Sequence, residues 1–197
     1  MCLAIFLNLW SLISFAQTRY DMQTWLNVTA IGKFYTDNQN NKPLRYWLEG
    51  QERIGDDITH STQTLIRPGL GYAVTDNLSL WVGYAWVHSS FPLTTSPFNE
   101  DRIWQQMLWV KPFKSFILTS RTRLEERFFQ NNPKTNYRAR QLVKIAIPLK
   151  SHPKFSLVSS DEIFIHRNHF IGNDSRGIDQ NRIFAGFGYK ISSFATT

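Results

Sequence analysis

The sequence is poor in the features that define several protein classes. It has a single cysteine, Cys2, which lies in an apolar N-terminal run, so removal of that run would leave no disulfide, thiol chemistry or cysteine–metal site. No apolar run is long enough to cross a bilayer as a helix, and the mean hydropathy is −0.31, which excludes a helical membrane protein. The lysines and arginines give a formal net charge of +7 but are scattered singly, which argues against nucleic-acid binding.

What the sequence does contain is, first, a short apolar segment at its N-terminus. Residues 2–16, CLAIFLNLWSLISFA, are apolar but too short to span a membrane as a helix, and polar residues follow. Ser14 and Ala16 are small residues at the two positions that a signal peptidase requires. We therefore expect a signal peptide over 1–16 and a single exported domain over 17–197.

This leader departs from the usual pattern in one respect. Only Met1 precedes the apolar run, so the basic segment that normally opens a signal peptide is missing. Either the start codon lies further upstream or the upstream codons are lost. A buried first helix is the alternative interpretation. Lipidation of Cys2 is disfavoured because that modification needs an apolar stretch before the cysteine.

From Thr24 onward, apolar residues recur with a period of two, which indicates strands. The clearest unit is the stretch 71–87, where two aromatic-rich runs flank Thr75-Asp76-Asn77, residue types that favour a tight turn. The same pattern predicts nine strands, near 23–34, 44–54, 62–74, 78–88, 102–111, 116–128, 137–148, 155–165 and 181–191.

Several of these strands carry most of their charges on one face. In ILTSRTRLEERF (117–128), four charges share a face opposite apolar residues, and the strands at 44–54 and 137–148 repeat the arrangement. Such a face needs water or partners. The candidate lumen charges are Arg45, Glu49, Arg53, Arg121, Arg123, Glu125, Arg127, Arg138, Arg140 and Lys144.

A soluble β-barrel turns its apolar face inward, whereas an outer-membrane barrel turns its charged face inward. Mixed Arg and Glu at alternating positions, aromatic residues toward strand ends and an export signal favour the membrane arrangement. We therefore predict an all-β, antiparallel up-and-down transmembrane β-barrel in the bacterial outer membrane. Its expected partners are outer-membrane lipid and the barrel-assembly machinery, and not nucleic acid.

Connection lengths offer a weaker argument about topology. The stretches 89–100, 130–136 and 167–180 are predicted to be the longer, external loops, and the other connections to be short. The chain ends on ISSFATT rather than on an amphipathic strand with a terminal aromatic. Because nine strands would leave open edges in lipid, we expect a full-length barrel of about ten to twelve strands, with C-terminal strands missing here.

The order of local patterns resembles a known bacterial family. IRPGLGY (66–72), TDNLSLWVGYAW (75–86), LEERF (124–128), RARQLVKIAIPL (138–149) and DQNRIFAGFGYK (179–190), together with DEIFI, are similar to the domain of unknown function 2490 over about residues 22–191. The resemblance implies an exported outer-membrane β-barrel with no settled activity. It supplies no catalytic residues, and in that family further strands usually follow the one matching 181–191.

No motif for catalysis or metal binding is present. The chain has five histidines but neither GxSxG nor HExxH, and His166 and His169 have a helical spacing at a predicted strand end. Asn173, Asp174 and Asp179 fit a solvated loop better than a calcium site. We expect no cofactor, no metal and no enzyme activity.

Three hypotheses about function follow. The first is a structural or porin-like transport barrel in which the arginines either line an anion pathway or are held in ion pairs with glutamates. The second is a lipid-modifying barrel enzyme, which needs a serine, a histidine and an acid together. The third is a soluble periplasmic β-barrel that binds an apolar ligand, which needs Leu80, Val82 and Tyr84 to point inward.

Overall fold

The computed structural model describes residues 22–34, 44–166 and 177–190, and these residues form strands joined by turns. No helix in this part of the chain is long and apolar enough to cross a membrane. The strands are β1 (Thr24–Lys33), β2 (Leu44–Gly55), β3 (His60–Ala73), β4 (Leu78–Ser89), β5 (Phe98–Pro112), β6 (Ile117–Phe129), β7 (Asn132–Pro148), β8 (Phe155–His166) and β9 (Gly177–Tyr189).

All nine strands belong to one antiparallel sheet in the order of the sequence, from β1 to β9. Each strand pairs with the next along the chain, so the topology is up-and-down, and the sheet curls into a half-barrel. The predicted all-β class and the nine strands are confirmed. The predicted signal peptide over 1–16 and the candidate calcium residues Asn173 and Asp174 lie outside the described residues.

One predicted loop is wrong. The sequence predicts a long connection over 130–136, but β6 ends at Phe129 and β7 begins at Asn132. The register shifts in this part of the pair, and the extra residues around Pro133 form a bulge that accommodates a residue without an N–H. The connection lengths of the described residues therefore do not separate two ends of the sheet as the sequence suggested.

The two faces of the sheet have opposite character. Large apolar side chains cover the convex face, where Leu80, Val82 and Tyr84 are 49%, 53% and 43% exposed. The alternating residues point to the concave face and are largely buried, although many are charged. The sheet is therefore apolar outside and polar inside, which is the reverse of a soluble barrel.

Tryptophans fill part of the concave side. Trp47, Trp81 and Trp104 are buried together with Ala85, and Leu108 packs against them. The ring centroids of Trp47 and Trp81 lie 5.5 Å apart, and those of Trp47 and Trp104 lie 6.2 Å apart, both in edge-on contact. These indoles fit because small residues face them across the sheet.

Pro68 interrupts the pairing of β3 with β4. Paired positions run from Gln63 to Ile66 and resume at Gly69, because proline has no N–H to donate. Beside this gap, the indole Nε1 of Trp104 on β5 donates a hydrogen bond to the backbone carbonyl of Tyr84 on β4, at 3.0 Å. A side chain of β5 thus supplies a hydrogen-bond donor where the β3–β4 ladder is broken.

Gly83 tests this close packing. A Cβ there would collide with the Pro68 carbonyl and the Trp104 indole, so Gly83→Ala is expected to lower the free energy of unfolding by about 1–3 kcal/mol. Gly50→Ala is the matched control, because a Cβ at Gly50 meets no atom within 4 Å. Urea unfolding of both variants would measure the difference. Equal stabilities for the two would contradict the packing described for Gly83.

Candidate functional site

The concave face gathers the charges that the sequence pattern selected. Alternation along β2, β6 and β7 turns the ten candidate residues toward this face. They differ in burial: Arg123, Glu125, Arg127, Arg140 and Glu49 are buried, whereas Lys144 is exposed. In the sheet register Arg123 is opposite Arg140 and Glu125 is opposite Arg138, so like and unlike charges adjoin.

Glu125 lies at the centre of this arrangement. Its carboxylate accepts a hydrogen bond from Arg138 Nε at 2.9 Å and from Arg140 Nη1 at 3.0 Å. Arg67 Nη2 lies 3.7 Å from Glu125 Oε1. A single buried carboxylate therefore faces guanidinium groups from β3 and β7, and its charge is compensated in several directions.

Glu162 and Glu49 extend the network to either side. Glu162 Oε1 lies 2.8 Å from Arg121 Nη2 and 2.7 Å from Arg140 Nη2, so Arg140 bridges two carboxylates. Arg67 Nη1 donates to both carboxylate oxygens of Glu49, at 2.9 and 3.0 Å. Trp47 Nε1 and Asn27 Nδ2 also donate to Glu49, each at 3.1 Å. These contacts connect β1, β2, β3, β6, β7 and β8.

Glu100 forms a second centre on β5. It receives two hydrogen bonds from Arg102, through Nε and Nη2, each 2.7 Å long. Arg127 on β6 also donates to it, with Nη2 at 3.0 Å from Oε2. Pairs of parallel N–H···O bonds are the strong, directional geometry that arginine forms with carboxylates.

Arg123 is fully buried and is held differently. Its Nε and Nη2 donate to Gln106 Oε1 at 2.9 and 2.6 Å, and Glu125 Oε1 lies 4.0 Å from its Nη1. The guanidinium lies over the ring of Trp104, 4.9 Å from the centroid. Arg123 therefore lies between the ion-pair network and the tryptophans, and it is stabilised by a neutral amide and by cation–π stacking.

Several members of the site were not selected from the sequence. Arg67, Glu100 and Arg102 lie in the network, and so does Glu162. Arg67 is the one charged residue of its strand, so no alternating charge pattern marks it. Glu100 precedes the predicted start of its strand. The sequence marks these residues in one way only: they lie at alternating positions along their strands, which places them on the concave face.

A cavity of about 590 Å³ opens beside the network. Eight arginines and two glutamates contribute to its lining, so its charge is strongly positive. Trp25, Leu65, Leu142, Phe164, Ile183 and Phe184 add apolar surface. The cavity therefore offers arginine forks beside aromatic rings, a combination suited to an anion with an apolar part.

The histidines are dispersed. His88 Nδ1 lies 2.9 Å from Asn99 Oδ1, His60 Nδ1 lies 3.0 Å from Asp56 Oδ2 in an exposed turn, and His166 Nε2 lies 3.3 Å from Asp179 Oδ2. His169 lies outside the described residues. In the described parts of the chain, no group of three or more His, Cys, Asp or Glu side chains could hold a metal ion.

Fold and site together define an up-and-down β half-barrel with an apolar convex face and an ion-paired concave face. The chain belongs to the family described as "Protein of unknown function (DUF2490)", whose model matches residues 22–196. An uncharacterized protein of Methylorubrum extorquens is 31% identical over 183 residues, which cover 92% of this chain and 77% of that protein. No solved structure gives a significant match.

Replacing Glu125 tests the role of the network. Glu125→Gln removes the charge that faces Arg138 and Arg140, and we expect the free energy of unfolding to fall by about 3–5 kcal/mol, since buried arginines lose their counter-charge. Its neighbour Glu126 is the control, because it points to the other face and forms no ion pair with a described residue. Denaturant midpoints for Glu125→Gln and Glu126→Gln would be compared. A midpoint unchanged by Glu125→Gln would show that the network is dispensable.

Proposed function

We propose that this protein is an outer-membrane β-barrel whose charged interior has a structural or transport role without catalysis. The observation that carries the proposal is the polarity of the two faces: buried Glu and Arg on the concave side and exposed large apolar residues on the convex side. In water, such an apolar surface would be a liability, whereas in a bilayer it faces lipid. Export through a signal peptide over 1–16 is part of the proposal.

The two alternatives have less support. A soluble barrel with an apolar cavity requires Leu80, Val82 and Tyr84 inside, but all three are exposed on the convex face. A lipid-modifying enzyme requires a serine, a histidine and an acid in mutual contact. His88 contacts an asparagine, and His60, which lies beside Asp56, contacts the hydroxyl of Thr59 in an exposed turn.

The state of the concave charges favours a braced interior over an open one. Arg127, Arg138 and Arg140 each donate to a glutamate, and the buried tryptophans occupy space on the same side of the sheet. Charges held in pairs stiffen the sheet and leave few free groups to attract a permeating ion. Any transport role is therefore expected to use the cavity rather than the whole concave face.

Fractionation of expressing cells is the direct experiment. We expect the chain in the detergent-extracted outer-membrane fraction, and we expect its gel migration to change when the sample is boiled, because a folded barrel resists detergent until heated. A protein recovered in the soluble periplasmic fraction, or in the membrane fraction without heat-dependent migration, would contradict the proposal.

A charge on the convex face gives a sharper test. Val82→Lys places a cation in the proposed lipid-facing belt and should lower stability in the bilayer by about 2–4 kcal/mol and reduce the heat-modifiable fraction. Leu93→Lys is the matched control, because Leu93 is similarly exposed, at 57% against 53%, but lies in the connection between β4 and β5. If both variants reached the membrane equally well, the convex face would not be the lipid-facing surface.

A further inference from the structure

Two arginines of the cavity differ from the rest. Arg53 on β2 and Arg182 on β9 both line it, yet neither has a carboxylate within ion-pair distance among the described residues. Each donates one hydrogen bond to a neutral amide: Arg53 Nη2 to Gln51 Oε1 at 3.2 Å, and Arg182 Nη2 to Gln180 Oε1 at 3.0 Å. The Nε atoms of both are buried without a hydrogen-bond partner.

Both guanidinium groups lie close to the same indole ring, that of Trp25. Arg53 lies over the ring of Trp25, 4.2 Å from its centroid, and Arg182 lies 4.9 Å from the same centroid. Arg182 also lies 4.4 Å from the ring centroid of Phe164. The rings fix both cations in position but do not cancel their charges, so two like charges are held close together at partly buried sites.

The carboxylate opposite Arg182 is already engaged. Glu162 is directly opposite Arg182 in the register of β8 and β9, yet it pairs with Arg121 and Arg140 instead. Arg53 faces Trp25 and Gln63 on its neighbouring strands, neither of which is acidic. The protein thus leaves two fixed cations uncompensated in a place where a counter-charge would be strongly favoured.

We propose that Arg53 and Arg182, both next to Trp25, form a binding site for a phosphate group. Two uncompensated cations match the charge of a phosphate monoester, and arginine forks suit its oxygens. The cavity of about 590 Å³ leaves room for the organic part of an ester beside Phe164 and Phe184. The phosphate comes from either a small soluble ester or a lipid headgroup that enters between β9 and β1.

The site rests on the proposed function, because a membrane-embedded barrel would shield it from bulk water and strengthen the ionic contacts. It also alters the interpretation of the arginine-rich strands. The strands at 117–128 and 137–148 carry the most regular charge pattern in the sequence, but their arginines are largely paired with glutamates. The groups left to bind a ligand lie on β2 and β9.

The experiment is calorimetric titration of the purified protein in a neutral, phosphate-free detergent. One arm uses inorganic phosphate and the other uses short-chain phosphatidic acid in the same micelles. We expect binding that weakens at least about tenfold in Arg53→Gln and in Arg182→Gln, because each loses a charge-assisted contact. Arg53→Lys, which keeps the charge but not the fork, should fall in between.

Arg45→Gln is the matched control. Arg45 is on the same strand and face as Arg53, and it also lacks a carboxylate partner among the described residues, but it is not part of the cavity lining. Its affinity should stay within about twofold of the unmodified chain. Saturation by phosphate alone would indicate a soluble ester, and saturation by phosphatidic acid alone would indicate a lipid headgroup.

Heat-dependent gel migration of every sample separates the two proposals. Samples that migrate as folded barrels but bind neither probe, or bind equally well in Arg53→Gln, Arg182→Gln and Arg45→Gln, would overturn the phosphate site and leave the barrel proposal intact. Loss of heat-dependent migration in the unmodified chain would instead contradict the proposed function.

Discussion

The compensation of buried charge on the concave face is the constraint on which the rest of the structure depends. Four glutamates and five arginines are almost fully buried there. Burying any one of these charges without a partner of opposite charge would cost a large desolvation free energy. Glu125 and Glu162 offset this cost because arginines from neighbouring strands converge on them. Since Arg140 serves both carboxylates, the positions of β6, β7 and β8 relative to one another are fixed by hydrogen bonds beyond the backbone ladder.

This constraint determines the character of both faces. Strand residues alternate, so a strand that directs charge to the concave side presents apolar side chains on the convex side. The tryptophans pack beside these charges on the concave side, and small residues opposite them let the sheet accept their bulk. Ion pairs and indoles therefore divide the concave side between them, and Arg123 stacks where they meet.

The strands were largely predictable, whereas the site was only partly so. A period of two is a local signal, and it located all nine strands, but Pro133 and the polar residues before Arg102 resembled loops because bulges and ladder ends are set by the neighbouring strand. Charged faces on β6 and β7 were visible for the same local reason. The proximity of Arg182 to Trp25 was not, because it depends on how far the sheet curls between its first and last strands.

The hydrogen bond from Trp104 to the Tyr84 carbonyl has a consequence for assembly. A hairpin of β3 and β4 formed alone would keep an unsatisfied carbonyl beside Pro68, and the missing donor arrives with β5. Strand β5 thus completes the pairing of β3 and β4, so these three strands reach their full stability together and not in pairs. Cooperativity at this point in the sheet would follow from one proline and one indole.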